Sequence, residues 1–166
     1  MSYHIYTTKG IILSERPVGE ADRIYNILTR DLGLVRAKAL SVRKAPSKLR
    51  GSLEPVVLSS VSLVRGKEYW RLTAAEELRS IPSRVEIVRP LSLLEKLVQG
   101  EDPHPELFDA IDTKIQLQDG LEDDFEVRLV SQILFHLGYL KEEDLNLDKK
   151  ALIKAINNGL SATMLT

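Results

Sequence analysis

Hydrophobic and polar positions change their period midway along the chain. In the first part, short runs rich in branched and aromatic residues, "TTKGIILSERPV" (7–18), "RIYNILTR" (23–30), "LVRAKAL" (34–40), "EPVVLSSVSLV" (54–64) and "EYWRLTAAEEL" (68–78), predict five strands. In the fourth, Val57, Val61 and Leu63 alternate with Ser60 and Ser62, so one face is buried and the other wet. Asp31, Leu32 and Gly33 fit a three-residue hairpin with the glycine left-handed, and Arg65, Gly66 and Lys67 fit a second tight turn. After residue 89 the apolar spacing becomes helical. In "PLSLLEKLVQG" (90–100) Leu91, Leu94, Leu97 and Val98 share a face, with Pro90 in the first turn and Gly100 as the stop. "PELFDAIDTKIQLQDG" repeats this, with Pro105 at the start, Leu107, Ile111 and Ile115 one above another, and Gly120 at the end. "DDFEVRLVSQILFHLG" is apolar almost all round from Phe125 to Leu137, as befits the central helix of a bundle. Asp148 fits an N-cap for "KKALIKAINNG", which Gly159 closes.

Five short strands with one long connection, 41–53, are the pattern of an oligonucleotide/oligosaccharide-binding (OB) barrel. The predicted fold is therefore an all-β OB barrel over 1–80, followed by an α-helical bundle domain over 81–166. No apolar run is long enough for a membrane span, and the N-terminus lacks a signal peptide's regions, which makes a cytoplasmic protein the simplest expectation.

Charge adds the first functional hint. The formal net charge is −1, yet residues 1–84 hold 15 Lys and Arg against 8 Asp and Glu, whereas 85–166 hold 8 against 16. Within 32–53 there are six cations, Arg36, Lys38, Arg43, Lys44, Lys48 and Arg50, and no acid. Lys and Arg on a barrel connection neutralise backbone phosphates and release condensed counterions, which fixes orientation without reading sequence. The plainer reading of such a run is a solvated loop, and two halves of opposite charge also attract each other. Among aromatics, Trp70 shares a strand face with Leu72 and belongs to the core. Tyr69 shares the opposite face with Arg71 and Thr73, making it the better candidate for stacking a base. Aromatic residues are only 5% of the chain, so stacking is a minor contribution.

Nothing in the sequence requires an enzyme. The absence of cysteine removes disulfides, thiolate catalysis and cysteine-held zinc, and His4, His104 and His136 have no metal-ligand spacing. His104 fits a helix cap and His136 a core histidine. Glu122, Asp123 and Asp124 stand where a helix macrodipole favours anions. No phosphate-binding glycine loop or nucleophile elbow is present, and no metal or cofactor is expected.

"TTKGIILSERPVGEADRIYNILTRDLGLVRAKAL", "RKAPSKLRGSLEPVVL" and "VRGKEYWRLTAAEEL" together resemble the N-terminal half of the RecO family of bacterial recombination mediators. The Gly-Glu-x-Asp-Arg stretch at 19–23, Thr-Arg-x-x-Gly at 29–33 and Ser-Lys-Leu-Arg-Gly at 47–51 come in the family's order. The resemblance implies an OB barrel and a helical domain without turnover. It also implies binding of single- and double-stranded DNA, strand annealing, contact with the single-strand-binding protein SSB, and loading of RecA together with RecR. Carried over by position, the phosphate contacts are Lys38, Arg43, Lys44, Lys48 and Arg50, with Arg36 close by; Tyr69 and Arg71 complete the candidate set. Three departures stand out. Ala39-Leu40-Ser41 replaces the family's Ala-Lys-Gly, losing a cation and a hinge; "YLKEEDLNLDKK" stands where many members hold a cysteine zinc site; and the helical half is shorter and acidic. The SSB tail is itself acidic, which sets charge against that partner. Two other readings remain open: a protein adaptor whose basic barrel docks an acidic partner such as RecR, and an RNA-binding OB protein. A DNA mediator is expected to be nucleoid-associated.

Overall fold

The computed structural model describes residues 3–41, 53, 56–82, 84–117 and 122–163. Arg43, Lys44, Lys48, Arg50 and Gly120 lie outside the described residues. Five strands, β1 (Ile5–Val18), β2 (Asp22–Thr29), β3 (Gly33–Ala39), β4 (Val57–Val64) and β5 (Trp70–Ser80), close into a barrel in the order β1-β2-β3-β5-β4. The length of β1 makes this possible. Its first part pairs antiparallel with β4 (Ile5↔Val64 to Ile11↔Leu58), and its second with β2 (Gly10↔Thr29 to Val18↔Asp22). A register irregularity between Ile12 and Ser14 bends the strand where it passes from one partner to the other. Closure comes from a short parallel pairing of β3 with β5, Ala37↔Trp70 and Lys38↔Arg71.

The period-2 pattern fills the barrel. Ile12, Tyr25, Ile27, Val35, Ala37, Ala39, Leu53, Val61, Leu63, Trp70 and Leu72 form one buried cluster. In β3 the inward Val35, Ala37 and Ala39 alternate with outward Leu34, Arg36 and Lys38. The β2–β3 turn follows the sequence closely: Gly33 has φ +79°, and the Thr29 hydroxyl donates to the Gly33 carbonyl at 2.7 Å. β4 departs from simple alternation, since Val57, Leu58 and Ser59 are all buried.

The second compact unit comprises Ser83–Val98 and His104–Thr166, whereas Gln99–Pro103 groups with the barrel. Its helices are α1 (Val85–Leu97), α2 (Pro105–Gln116), α3 (Phe125–His136) and α4 (Lys149–Ala162), with a short 3-10 helix, Glu142–Asn146, before α4. α3 is central: α1, α2 and α4 all pack against it, and none of its residues is fully exposed. His136 is half-buried, with the Phe135 ring edge-on to it, rather than a fully buried core residue.

Two helix boundaries differ from expectation. α1 begins five residues before Pro90, which therefore lies inside the helix instead of in its first turn. An interior proline forgoes one backbone bond and clashes with the preceding turn, at about 3 kcal/mol or more. Burial of Ile87 one turn ahead of Leu91, and of Pro90 itself, offsets that cost. Gly159 does not end α4, which runs on to Ala162. A Cβ there would come 3.0 Å from the Tyr139 carbonyl oxygen, so this glycine serves a close backbone approach. Asp148 caps α4 as expected, accepting from the Ala151 N–H at 2.8 Å.

Of the acidic residues before α3, Asp124 has a structural partner. Asp124 accepts from Arg128 Nε at 2.9 Å, one helical turn on, and Arg128 also donates to the Leu145 carbonyl at 3.0 Å. The Arg128 hydrogen bond, with its charge, holds the Asp124 carboxyl below its ordinary pKa of 3.8 despite an opposing desolvation. A lowered carboxylate pKa stabilises the fold above the unfolded value, and that contribution is lost as pH falls through the folded one. Arg128→Met should therefore lower the urea midpoint most at neutral pH. Its deficit should narrow below about pH 4 without vanishing, because the bond to Leu145 does not titrate. A deficit independent of pH would show that the ion pair contributes nothing.

Candidate nucleic-acid interface

On one outward row of the barrel three cations flank a buried apolar residue, Ile24. Arg16 on β1 faces Ile24 on β2, Ile24 faces Lys38 on β3, and Lys38 faces Arg71 on β5. Neighbouring strands lie about 4.8 Å apart, so three positive side chains span four strands over roughly 15 Å. Arg16 and Arg71 are exposed, and Lys38 is half-buried, with its Nζ 3.7 Å from Asp22 Oδ2. Arg36 lies one outward position along β3, opposite Asn26 of β2, which donates to Ser14 Oγ of β1 at 3.0 Å.

Tyr69 joins this surface from outside the strands. β5 starts at Trp70, so Tyr69 belongs to the β4–β5 turn and does not share a strand face with Arg71 and Thr73 as the alternation suggested. The turn is longer than the three residues expected and is shaped at Gly66, where a Cβ would lie 2.2 Å from the Tyr69 carbonyl oxygen. From there the Tyr69 hydroxyl accepts from Arg16 Nη2 at 3.2 Å, and the Arg36 guanidinium stands 5.3 Å from the ring centroid. One aromatic side chain thus ties a cation of β1 to a cation of β3, across β2. A cation–π contact at an exposed site is worth about 0.5–1 kcal/mol, enough to orient Arg36 without immobilising it. Because Arg36 takes one face of the ring, a stacked base has at most the other.

Trp70 is a core residue, as expected, at 3% exposure. Its indole N–H donates to Glu101 Oε1 at 2.8 Å, and Tyr6 meets its ring edge-on. The entrance to the basic connection is also set. Ser41 has φ +58°, a left-handed conformation ordinarily given to glycine, and its N–H donates to Asp22 Oδ1 at 2.8 Å. Ser41 therefore makes this bend without a glycine. Of the candidate residues, Arg36, Lys38, Tyr69 and Arg71 are placed around this face; Arg43, Lys44, Lys48 and Arg50 are not described. Arg16 was missed because it stands alone in "SERPV", beside an acid; only the strand register brings it to Lys38. Among the described residues no three histidine or carboxylate side chains gather as a metal cluster, and no helix is long and apolar enough to cross a membrane.

Fold and face together define a small closed β-barrel protein whose cations run across its outer surface, with helices following in the chain. Residues 1–81 match the family described as "Recombination protein O N terminal". The chain is similar to the DNA repair protein RecO of Gloeobacter violaceus, 39% identical over 100 residues, covering 60% of this chain and 38% of the relative. It is 48% identical over 77 residues to that of Dehalococcoides mccartyi, covering 46% of this chain and 30% of the relative. With that of Gloeothece citriformis identity is 34% over 118 residues, 67% of this chain and 42% of the relative. Over its barrel region the chain is thus similar to the N-terminal part of RecO proteins. It spans less than half the length of these relatives.

Proposed function

We propose that the barrel is an OB-type module that binds DNA through the phosphate backbone, and that the chain acts in DNA repair as a non-enzymatic recombination mediator. The observation that carries this reading is the row Arg16–Lys38–Arg71, with Arg36 and Tyr69 beside it, on the side of the barrel formed by β1, β2, β3 and β5. In OB barrels the face of strands 2 and 3 and the loop between strands 4 and 5 receive oligonucleotides, and Tyr69 comes from that loop. Cations of this kind fix a strand by its phosphates and leave base edges unread. This suits annealing. Phosphate charge is neutralised, so two strands approach with less repulsion, while their bases stay available to pair. Single and double strands both present the required backbone.

Joint action with RecR in loading RecA rests on the resemblance to the RecO family. Residues 85–166, with 16 acids against 8 cations, offer little attraction to an acidic SSB tail, so RecR takes precedence over SSB as the protein partner. A DNA partner would place the protein in the cytoplasm at the nucleoid.

The test is a titration of the 166-residue chain into a fluorescent single-stranded oligonucleotide at several salt concentrations. The four placed cations alone give an expected slope of log affinity against log salt of about −3, taking roughly 0.7 per phosphate. Absence of binding at low salt would overturn the DNA reading. Capture of purified RecR by the same chain would then favour the adaptor.

A further inference from the structure

One more exposed cation, at the start of the turn that carries Tyr69, is held by a carboxylate. Arg65 opens the β4–β5 turn, and its guanidinium lies 4.1 Å from the centroid of the Trp70 ring. Its Nη2 donates to Glu101 Oε2 at 2.9 Å, while the other oxygen of the same carboxylate accepts from Trp70 Nε1 at 2.8 Å. Glu101 therefore sits as an oxyanion between two converging donors, one charged and one neutral. Its backbone is fixed independently of that carboxylate. The Leu34 N–H donates to the Gly100 carbonyl at 3.0 Å, and the Asp102 backbone lies against Gly33. Trp70 alone would satisfy one carboxylate oxygen, and the Arg65 side chain remains 62% exposed. A structural staple needs no such exposure. Stacking holds the guanidinium plane in place, so exchanging a carboxylate for a phosphate would require little new ordering, and Arg recognises both through the same fork of donors.

Building on the DNA reading above, we propose that Glu101 occupies Arg65 as an internal substitute for phosphate, and that a DNA phosphodiester competes for that guanidinium. Glu101 then sets how many phosphates the barrel engages. It weakens binding at low occupancy and leaves Arg65 as a reserve contact where phosphate is dense. No atom other than the exchanging oxygens need move far, since Glu101 keeps its bond to Trp70.

Glu101→Gln tests this, because the amide oxygen still accepts from Trp70 while the charge facing Arg65 is removed. With a fluorescein-labelled 30-mer of dT, Glu101→Gln should bind about five- to tenfold tighter near 50 mM salt, with a salt slope steeper by about 0.7. Adding Arg65→Ala to that variant should abolish the gain, and the two substitutions should be non-additive by the same factor. A Glu101→Gln slope equal to the unsubstituted chain's, or a gain that survives Arg65→Ala, would overturn the proposal. In the unsubstituted chain, saturating oligonucleotide should also shift the emission of Trp70, the protein's one tryptophan, as the carboxylate on its N–H loses Arg65. Unchanged emission on binding would count against it even if Glu101→Gln failed to fold. Failure of the unsubstituted chain to bind DNA would sink the DNA reading and this inference with it. Binding by that chain with an unchanged Glu101→Gln slope would sink only the latter.

Discussion

Replacing Arg16, Arg36, Lys38 and Arg71 together by alanine should weaken binding of single-stranded DNA by about three orders of magnitude at 50 mM salt. It should also flatten the salt slope by about three units, at roughly 0.7 per lost phosphate contact. The loss should be equal for dT tracts and mixed sequences, since backbone contacts carry no base information. The fold should survive. Arg16, Arg36 and Arg71 are exposed, Lys38 is half-buried, and what they forfeit is the hydrogen bond and ring contact at Tyr69 and the long pairing with Asp22. Such surface contacts are worth about 1 kcal/mol or less each. A single cooperative thermal transition, lowered by a few degrees at most, with native Trp70 emission would verify this. Tyr69→Leu separates charge from stacking: it should leave the slope intact and lower affinity by no more than a single stacked base contributes, about 1–3 kcal/mol. Unchanged affinity in the quadruple variant would remove this face from the binding surface.

Arg16 enters that set through register, and the way it does shows what a sequence can and cannot convey. Strand existence was legible because alternation of Val35, Ala37 and Ala39 with Arg36 and Lys38 is a local property of β3. The left-handed Gly33 was legible for the same reason, since a short connection between two apolar runs leaves few backbone solutions. What joins Arg16 to Lys38 is a pairing of residues 22 positions apart through Ile24, and no local pattern encodes it. Tyr69 was found for the wrong geometric reason. Alternation assumed a strand through 68–78, but Gly66 shapes a turn that keeps Tyr69 outside β5. Pro90 and Gly159 misled in the same sense: both read as helix punctuation, and both are overridden by packing, of Ile87 and Leu91 in one case and of the Tyr139 backbone in the other. The return of residues 99–103 to the barrel was invisible too, because its anchors are one backbone bond and a carboxylate on Trp70.

Where that segment meets the barrel, a left-handed glycine is closely packed, and replacing it should be far more damaging than replacing an open one. Gly33→Ala should cost about 3–4 kcal/mol in urea unfolding, against about 1 kcal/mol for Gly19→Ala. Both glycines have positive φ, +79° and +61°, so both substitutions force an L-residue into the left-handed region at about 1–2 kcal/mol, partly offset by a stiffer unfolded chain. They differ in surroundings. A Cβ on Gly19 meets nothing within 4 Å, whereas one on Gly33 would lie 2.7 Å from both the backbone nitrogen and oxygen of Asp102. Backbone cannot rotate aside like a side chain, so residues 100–102 would have to move off β3. That movement strains the bond from the Leu34 N–H to the Gly100 carbonyl, worth about 1 kcal/mol, and pulls Glu101 from the Trp70 indole. Against a total of about 5–15 kcal/mol this is a large fraction of the stability. Trp70 emission should shift to the red in Gly33→Ala before unfolding begins, and should not in Gly19→Ala. Equal losses in the two variants, with Trp70 emission unmoved, would mean that left-handed strain alone governs Gly33 and that the 99–103 segment does not brace the barrel.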